Sequence, residues 1–419
     1  MADEQLIVFR ELNGRFQEAG VLSAGDTLGF QYSDDYLLSG NAQAVSHVLP
    51  LKSGSQDPKA VASFFDGLLP EEGMRKSMTA AFHAESSDVH ALLSRLNNES
   101  AGALVLKTPG EDPGADRHYI PLEPGDLEHF ATSPKSFAPK AAIRSRLSIA
   151  GGQVKAGLFL DAATNTWNYP MGAAPSSHIL KACDGEYPHQ TINEAICLKT
   201  AEAMGFDVAR CTLIAIDEHD PLLAIERFDR VSAGTDFLHR IHQEDFYQCS
   251  PDCNQKYEPT GGHYANRCAA TIESTSSNPY GDRAMFFDRL LFDWAIGNAD
   301  NHLKNHSMLW DQSWSHCTLS PLYDITCTTL YPSLDYEMGV SFGKSRRIDC
   351  VGTADVLATA KECGIGGSQA SRMLAETLDS FPAALDTAIQ EVCAHGFDQA
   401  DEIGQLIKVS FLERRKRMA

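Results

Sequence analysis

The chain has 419 residues, 43% of them apolar and 22% charged, a balance typical of ordinary folded domains and long enough for two to three units of about 150 residues. Intrinsic disorder and fibrous repeats are therefore excluded. With 35 Lys and Arg against 56 Asp and Glu, the net charge is −21, and so acidic a chain repels nucleic acid and anionic membrane except where a local basic patch reverses the field.

The opening residues, MADEQLIVFRELNGR, carry acids where a secretory leader needs positive charge, and the LIVF run is too short for a leader's apolar region. No later segment approaches the roughly 18 consecutive apolar residues of a membrane span. Eleven cysteines scattered over the whole length suit reduced thiols better than a disulfide framework. The expected location is the cytoplasm.

In chain order, apolar residues from Leu6 to Leu22 bracket Asn13-Gly14, which predicts an opening β-hairpin with a type I′ turn. Asp57-Pro58 predicts a capped helix start, with Val61, Phe64, Phe65 and Leu68 on one face. A second cap, Asp88, precedes Leu92, Leu93 and Leu96, and ALVL at 103–106 reads as a strand. Residues 108–125, TPGEDPGADRHYIPLEPG, hold four prolines and three glycines and form a connection that cannot continue a helix. Beyond it come strand-like runs (RLSIAG, AGLFLD, HILKA), a helix from about Asn193 to Met204, a strand at LLAIE, and mostly helical patterns to the end. No internal repeat is present.

Five stretches carry candidate chemistry. GNADNHLKN at 297–305 follows a helix with Phe286, Phe287, Leu290, Leu291 and Trp294 on one side, so a packed support presents a polar loop. In that loop Asp300 and Asn305 stand as D-x-x-x-x-N, the spacing of a kinase catalytic loop, where the carboxylate accepts a hydroxyl proton and the amide oxygen binds magnesium. Asp324 in PLYDIT is a candidate second magnesium ligand, and two such oxygens with phosphate are a sufficient set for that ion. Both segments also suit plain turns, in which Asp and Asn are the default residues. SIAGGQVK at 148–155 is a Gly-Gly turn that brings backbone N–H groups near phosphate, or a simple hairpin. HILK ends at Lys181 in the manner of a strand delivering an ammonium to phosphates, or of a solvated strand end. In LLAIERFDR, at 222–230, the backbone of Glu226 to Phe228 is placed to hold an adenine edge with Phe228 as an apolar wall. Its alternative is a strand end with a structural Arg-Asp pair.

Taken together, these stretches with SFFDGLLPE (63–71), INEAICLKTAEAMG (192–205), HQEDFYQ (242–248) and KYEPTGG (256–262) resemble the HipA-type serine/threonine kinases, toxins of bacterial toxin–antitoxin pairs, over nearly the whole chain. The resemblance implies an α+β, divergent protein-kinase-like two-lobed fold: an N-terminal α+β subdomain (1–107), a kinase N-lobe with the phosphate loop (108–226) and a mostly helical C-lobe with the catalytic loop (227–419). It implies Asp300 as catalytic residue and Asn305 and Asp324 as magnesium ligands. ATP is placed among Ala150, Gly151, Gly152, Gln153, Val154, Lys155, Lys181, Glu226, Arg227, Phe228, His302, Leu303, Lys304, Asn305, Tyr323, Asp324, Ile325 and Thr326, with self-phosphorylation at Ser148, whose phosphate would compete with those of ATP and switch the enzyme off. Departures are Gly152, where the family usually has Ala, and CSPDC at 249–253 in place of a more apolar stretch.

The implied partners are a HipB-like helix-turn-helix antitoxin, operator DNA through it, and a protein substrate such as an aminoacyl-tRNA synthetase. The rival readings are an antitoxin-binding co-repressor with secondary catalysis and a small-molecule kinase on the same scaffold. The basic runs KSRR (344–347) and RRKR (414–417) read as solvated or helix-end charges, or as contacts to DNA phosphates within the complex. Cys249, Cys253, His263 and Cys268 form a loose C-x₃-C, H-x₄-C pattern; structural zinc favours tighter spacings, and the resemblance implies no metal there.

Overall fold

The computed structural model describes residues 5–70, 75–76, 78–79, 88–96, 100–145, 153–232, 234, 237–253 and 255–418. It divides into two compact units, the first made of Met1–Asp184, Ala215–Asp252 and Leu309–Cys317, the second of Gly185–Ile214, Cys253–Met308 and Thr318–Ala419.

In the first unit, the opening hairpin joins Gln5–Leu12 to Arg15–Ser23. Asn13 and Gly14 have φ of +51° and +76°, the left-handed pair that a type I′ turn requires. Gly29–Tyr32 and Leu104–Lys107 complete a four-stranded antiparallel sheet. Leu6, Val8 and Leu22 on its inner face share a fully buried core with Val61, Phe64 and Phe65 of the helix Pro58–Gly67. That helix starts where the Asp57 carboxylate accepts the N–H groups of Lys59 and Ala60, and Asp88 accepts from Ala91 in the same way.

Five strands of a second antiparallel sheet follow in the order His118–Pro121, Thr166–Met171, Lys155–Asp161, His178–Lys181 and Leu222–Glu226. The first of these lies inside the proline- and glycine-rich connection. Tyr119 stacks on Phe159 with ring centroids 3.7 Å apart, which supplies the packing that the flanking residues lack. Pro121 closes an edge strand, where a missing N–H is tolerated. A long-range ion pair and long-range hydrogen bonds to a buried carboxylate tie this unit together. Glu11, in the opening hairpin, accepts from the Arg240 guanidinium at 2.9 Å, and Glu244 accepts from the Ser46 hydroxyl at 2.6 Å and the His47 N–H at 3.0 Å; Glu11, Arg240 and Glu244 are all buried.

The second unit is mainly helical, with Gln190–Ala203, Tyr264–Thr275, Pro279–Ile296, Thr353–Glu362, Gly367–Ala394 and Gln399–Arg415. Helix Pro279–Ile296 begins at the Asn278 cap with Pro279 in its first turn and stops at Gly297. Phe286, Phe287, Leu290, Leu291 and Trp294 are buried along it. Its last carbonyls receive a cation from the other end of the unit: Arg414 donates from Nε to Trp294 O at 3.0 Å and from Nη2 to Ala295 O at 2.8 Å, offsetting the negative pole of the helix. Arg414 is thus a buried helix cap, while Arg346 pairs with Glu337 and Arg347 with Asp349. At those three positions the basic runs are committed to local structure. Among the described residues, no helix is long and apolar enough to cross a membrane.

Candidate phosphotransfer site

The loop after helix Pro279–Ile296 is fixed by its own amides. Asn298 donates to the Asp293 carboxyl at 2.8 Å, and its oxygen accepts the Asp300 N–H at 3.1 Å. Ala299 N–H donates to the Thr328 hydroxyl at 2.8 Å, and Asn301 bonds both ways to Val340 of the strand Glu337–Phe342. A tight turn then carries Leu303–Asn305, and Asn305 Nδ2 donates to the Asp300 carbonyl at 2.7 Å. Asp300 and Asn305 therefore sit on one braced loop. The Asn305 oxygen faces away from that bond, and the Asp300 side chain is 47% exposed.

Strand Glu337–Phe342 approaches this loop so closely that a Cβ on Gly339 would meet His302 Cα and N at 2.5 Å. Gly339 N–H also donates to Ala299 O at 2.9 Å. His302 Nε2 lies 3.8 Å from Asp300 Oδ1. Leu303 is fully buried, and the Lys304 carbonyl accepts from the Tyr323 hydroxyl at 2.8 Å. Burial and the neighbouring Arg289 and His302 hold His306 down at about 3, so this imidazole is neutral. Burial pushes Asp293 up to about 7, against the hydrogen bond from Asn298.

Asp324 follows a parallel bridge between Val208 and Leu322. Its φ is +56°, a left-handed conformation that Asp tolerates and that recurs where a side chain is aimed for function. On its far side, the Asn193 amide donates to Cys327 O at 3.1 Å and accepts from Cys327 N at 3.0 Å. Ile325 is buried between these anchors, and Tyr323, Asp324 and Thr326 are half-buried. Asn305 and Asp324 offer neutral and anionic oxygens on anchored backbone, a donor set that fits a hard divalent cation such as magnesium.

In the first unit, Lys155 and Lys181 are register partners on adjacent antiparallel strands. Directly opposed residues share a sheet face, so these two buried lysine residues stand side by side on one face of the sheet. Gln153 and Val154 lead into the Lys155 strand and are half-buried. Ser148, Ala150, Gly151 and Gly152 lie outside the described residues.

The Glu226–Phe228 segment alternates in exposure, with Glu226 out, Arg227 buried and Phe228 intermediate. The Arg227 guanidinium turns inward. It binds both oxygens of Asp229, at 2.9 and 2.8 Å, the Ser176 hydroxyl at 3.0 Å and Ser100 O at 3.0 Å. Arg230 bonds Ser100 O at 2.9 Å and Gly102 O at 3.2 Å, and Gly102 N–H donates to Asp229 at 2.8 Å. Burial would raise Asp229, but Arg227 and Arg230 outweigh it and hold the carboxyl below the usual range. The structural Arg-Asp pair is therefore how the Arg227 side chain is used, which leaves the backbone of Glu226–Phe228 and the Phe228 ring as this segment's candidates for a ligand.

Sequence reasoning gave no role to Asn193, Asn298 or Tyr257. INEAIC and KYEPTGG were visible as motifs, but a side chain that braces a loop through space leaves no spacing signal. Among the described residues, no three His, Cys, Asp or Glu side chains gather as a metal group, and the described cysteines are free thiols.

The sheet-bearing and helical units, with a braced D-x-x-x-x-N loop in the second, are those of a divergent protein-kinase-like α+β fold. The fold matches that of Shewanella oneidensis HipA, solved as a complex of HipA, HipB and operator DNA, with a TM-score of 0.82 at 22% identity over 99% of this chain and 97% of that one. Residues 147–385 match the profile of the HipA-like C-terminal domain, and residues 13–107 that of the HipA N-terminal domain. A Sinorhizobium fredii protein named as a kinase, Y4mE, is 31% identical over 383 residues, 89% of each chain. The Shewanella oneidensis serine/threonine-protein kinase toxin HipA is 25% identical over 333 residues, 76% of this chain and 74% of that one. The chain belongs to the HipA family of kinases.

Proposed function

We propose that the chain transfers the γ-phosphoryl group of ATP to a serine or threonine hydroxyl of a protein, as the toxin of a toxin–antitoxin pair. The observation that carries this reading is the bond from Asn305 Nδ2 to the Asp300 carbonyl, which sets the two side chains on one rigid turn. Asp300 orients the acceptor hydroxyl and takes its proton, and Asn305 and Asp324 hold magnesium, which when bound neutralises phosphate charge. Lys155 and Lys181 supply positive charge for the phosphates, and the 226–228 backbone with Phe228 receives the adenine. Positioning and charge stabilisation do most of the work, because little covalent chemistry is asked of the protein.

Self-phosphorylation at Ser148 belongs to the same reading, as does restraint by a HipB-like helix-turn-helix antitoxin through which the complex reaches operator DNA. The partner found with Shewanella HipA supports the last point. Aminoacyl-tRNA synthetases are the substrate class to test first, and co-repression with the antitoxin is compatible with catalysis. The decisive experiment is Asp300→Asn. With its side chain about half exposed, the variant keeps its melting temperature, while phosphoryl transfer falls roughly 10²–10⁴-fold because an amide cannot accept the proton. Wild-type turnover in the variant would make Asp300 a turn residue and end the reading.

A further inference from the structure

Tyr257 donates its hydroxyl hydrogen to Oδ1 of Asp300. That is the bond an acceptor hydroxyl makes with a kinase's catalytic carboxylate before transfer. We propose that Tyr257 is an internal acceptor: the chain phosphorylates this tyrosine at the Asp300 site. The inference rests on the phosphotransfer reading above and adds a modification site to it.

The contact is built into the backbone. On one side of Tyr257, Lys256 O accepts the N–H of Leu303 at 3.2 Å, which ties the segment to the candidate catalytic turn. On the other side, Glu258 N–H donates to Gly339 O at 2.9 Å, and the Glu258 carboxylate accepts both the N–H and the hydroxyl of Ser341, at 2.9 and 2.8 Å. The ring also meets His302 edge to face, with centroids 5.0 Å apart. Yet Tyr257 is 41% exposed, so its side chain is not a core element that the fold needs, and it can turn outward about its own side-chain bonds while the backbone stays clamped.

In the transfer, a bond forms between Tyr257 Oη and the γ-phosphorus of a nucleoside triphosphate. The bond from that phosphorus to the β–γ bridging oxygen breaks, its electron pair leaving on the nucleoside diphosphate. The phenolic proton passes to Asp300 and on to solvent. The product carries about −1.5 to −2 charges beside the Asp300 carboxylate, so repulsion turns the ring away and vacates the place of the acceptor. The Lys256 ammonium, 5.2 Å from the ring centroid, stands where it can meet the new phosphate. Modification here opens the site, the opposite of the effect expected for phosphate at Ser148.

The test is incubation of the full chain with ATP and magnesium, followed by peptide mass spectrometry and a phosphotyrosine-specific blot, with transfer to a generic protein acceptor measured in parallel. Phosphate should appear on Tyr257 in the wild type and be absent in Asp300→Asn, with folding of that variant checked by thermal melting. The tyrosine signal should vanish in Tyr257→Phe. Transfer to Ser148 or to the acceptor without phosphate on Tyr257 overturns this proposal and leaves the kinase reading standing. No transfer to any residue or acceptor overturns both. Phosphate on Tyr257 that persists undiminished in Asp300→Asn overturns the assignment of Asp300 as its base.

Discussion

Arg227→Leu separates a structural role from a ligand-binding one. The substitution removes four hydrogen bonds, two to Asp229 and one each to Ser176 and Ser100 O, and leaves a buried carboxylate with half its cationic partners. Breaking a buried ion pair from one side costs about 3–5 kcal/mol. Asp229 keeps Arg230 at 2.9 Å and the Gly102 N–H at 2.8 Å, so the lower end of that range applies. A loss of about 3 kcal/mol lowers the melting temperature by roughly 6–12 °C for a cooperative unit of about 200 residues. Because Asp229 is held below its ordinary value in the folded state, this stabilisation is complete above about pH 4 and fades as pH falls through the folded value. Urea denaturation at pH 7 and again at pH 3 reads both the size and the acid decline, and a fluorescent nucleotide analogue reads ligand affinity on the folded protein. A stability loss under about 1 kcal/mol with a tenfold loss of nucleotide affinity would refute the reasoning and return the Arg227 side chain to the nucleotide.

Asp293→Asn keeps an acceptor for the Asn298 amide but removes a carboxyl that titrates at about 7 in the fold and near 3.9 unfolded. The folded state binds that proton more tightly, so wild-type stability falls as pH rises from about 4 to 7; the variant should lack this decline, which amounts to a few kcal/mol, in melts at pH 5 and 8. Gly339→Ala puts a methyl group against the His302 backbone; activity should fall roughly 100-fold through displacement of the loop, measured as kcat beside a melt that shows the protein folded. Asp324→Ala should abolish the thermal shift produced by ATP with magnesium while sparing the melt without ligand.

Local structure was legible where side-chain chemistry acts within one turn. Asn13-Gly14, the Asp57-Pro58 and Asp88 caps and the apolar face of Pro279–Ile296 each encode their own geometry, and HILK and LLAIE coincide with strands. The strand His118–Pro121 was hidden because its proline- and glycine-rich surroundings read as a connection, and only stacking on Phe159 shows why it forms. Periodicity is likewise blind to Arg230 reaching Ser100 O across 130 positions, or to Asn193 bracing Cys327 across 134. ERFDR is the instructive case: the motif was plain, but whether its arginine faced a ligand or its neighbouring aspartate depended on where residues 100–102 fold back.

The charged interior of the first unit bears on how this protein can be taken apart. The two family segments look like separable modules joined at a proline-rich seam, yet a fragment beginning at residue 108 would lack Glu11 for Arg240, Ser46 for Glu244, and the carbonyls of Ser100 and Gly102 for Arg227 and Arg230. Such a fragment would have to bury or flood these charges, so a catalytic portion expressed alone should come out insoluble. Chimeras with relatives are subject to the same rule: an exchanged amino-terminal half must bring the counter-charges that its new host expects, which makes that half a folding partner rather than an appendage.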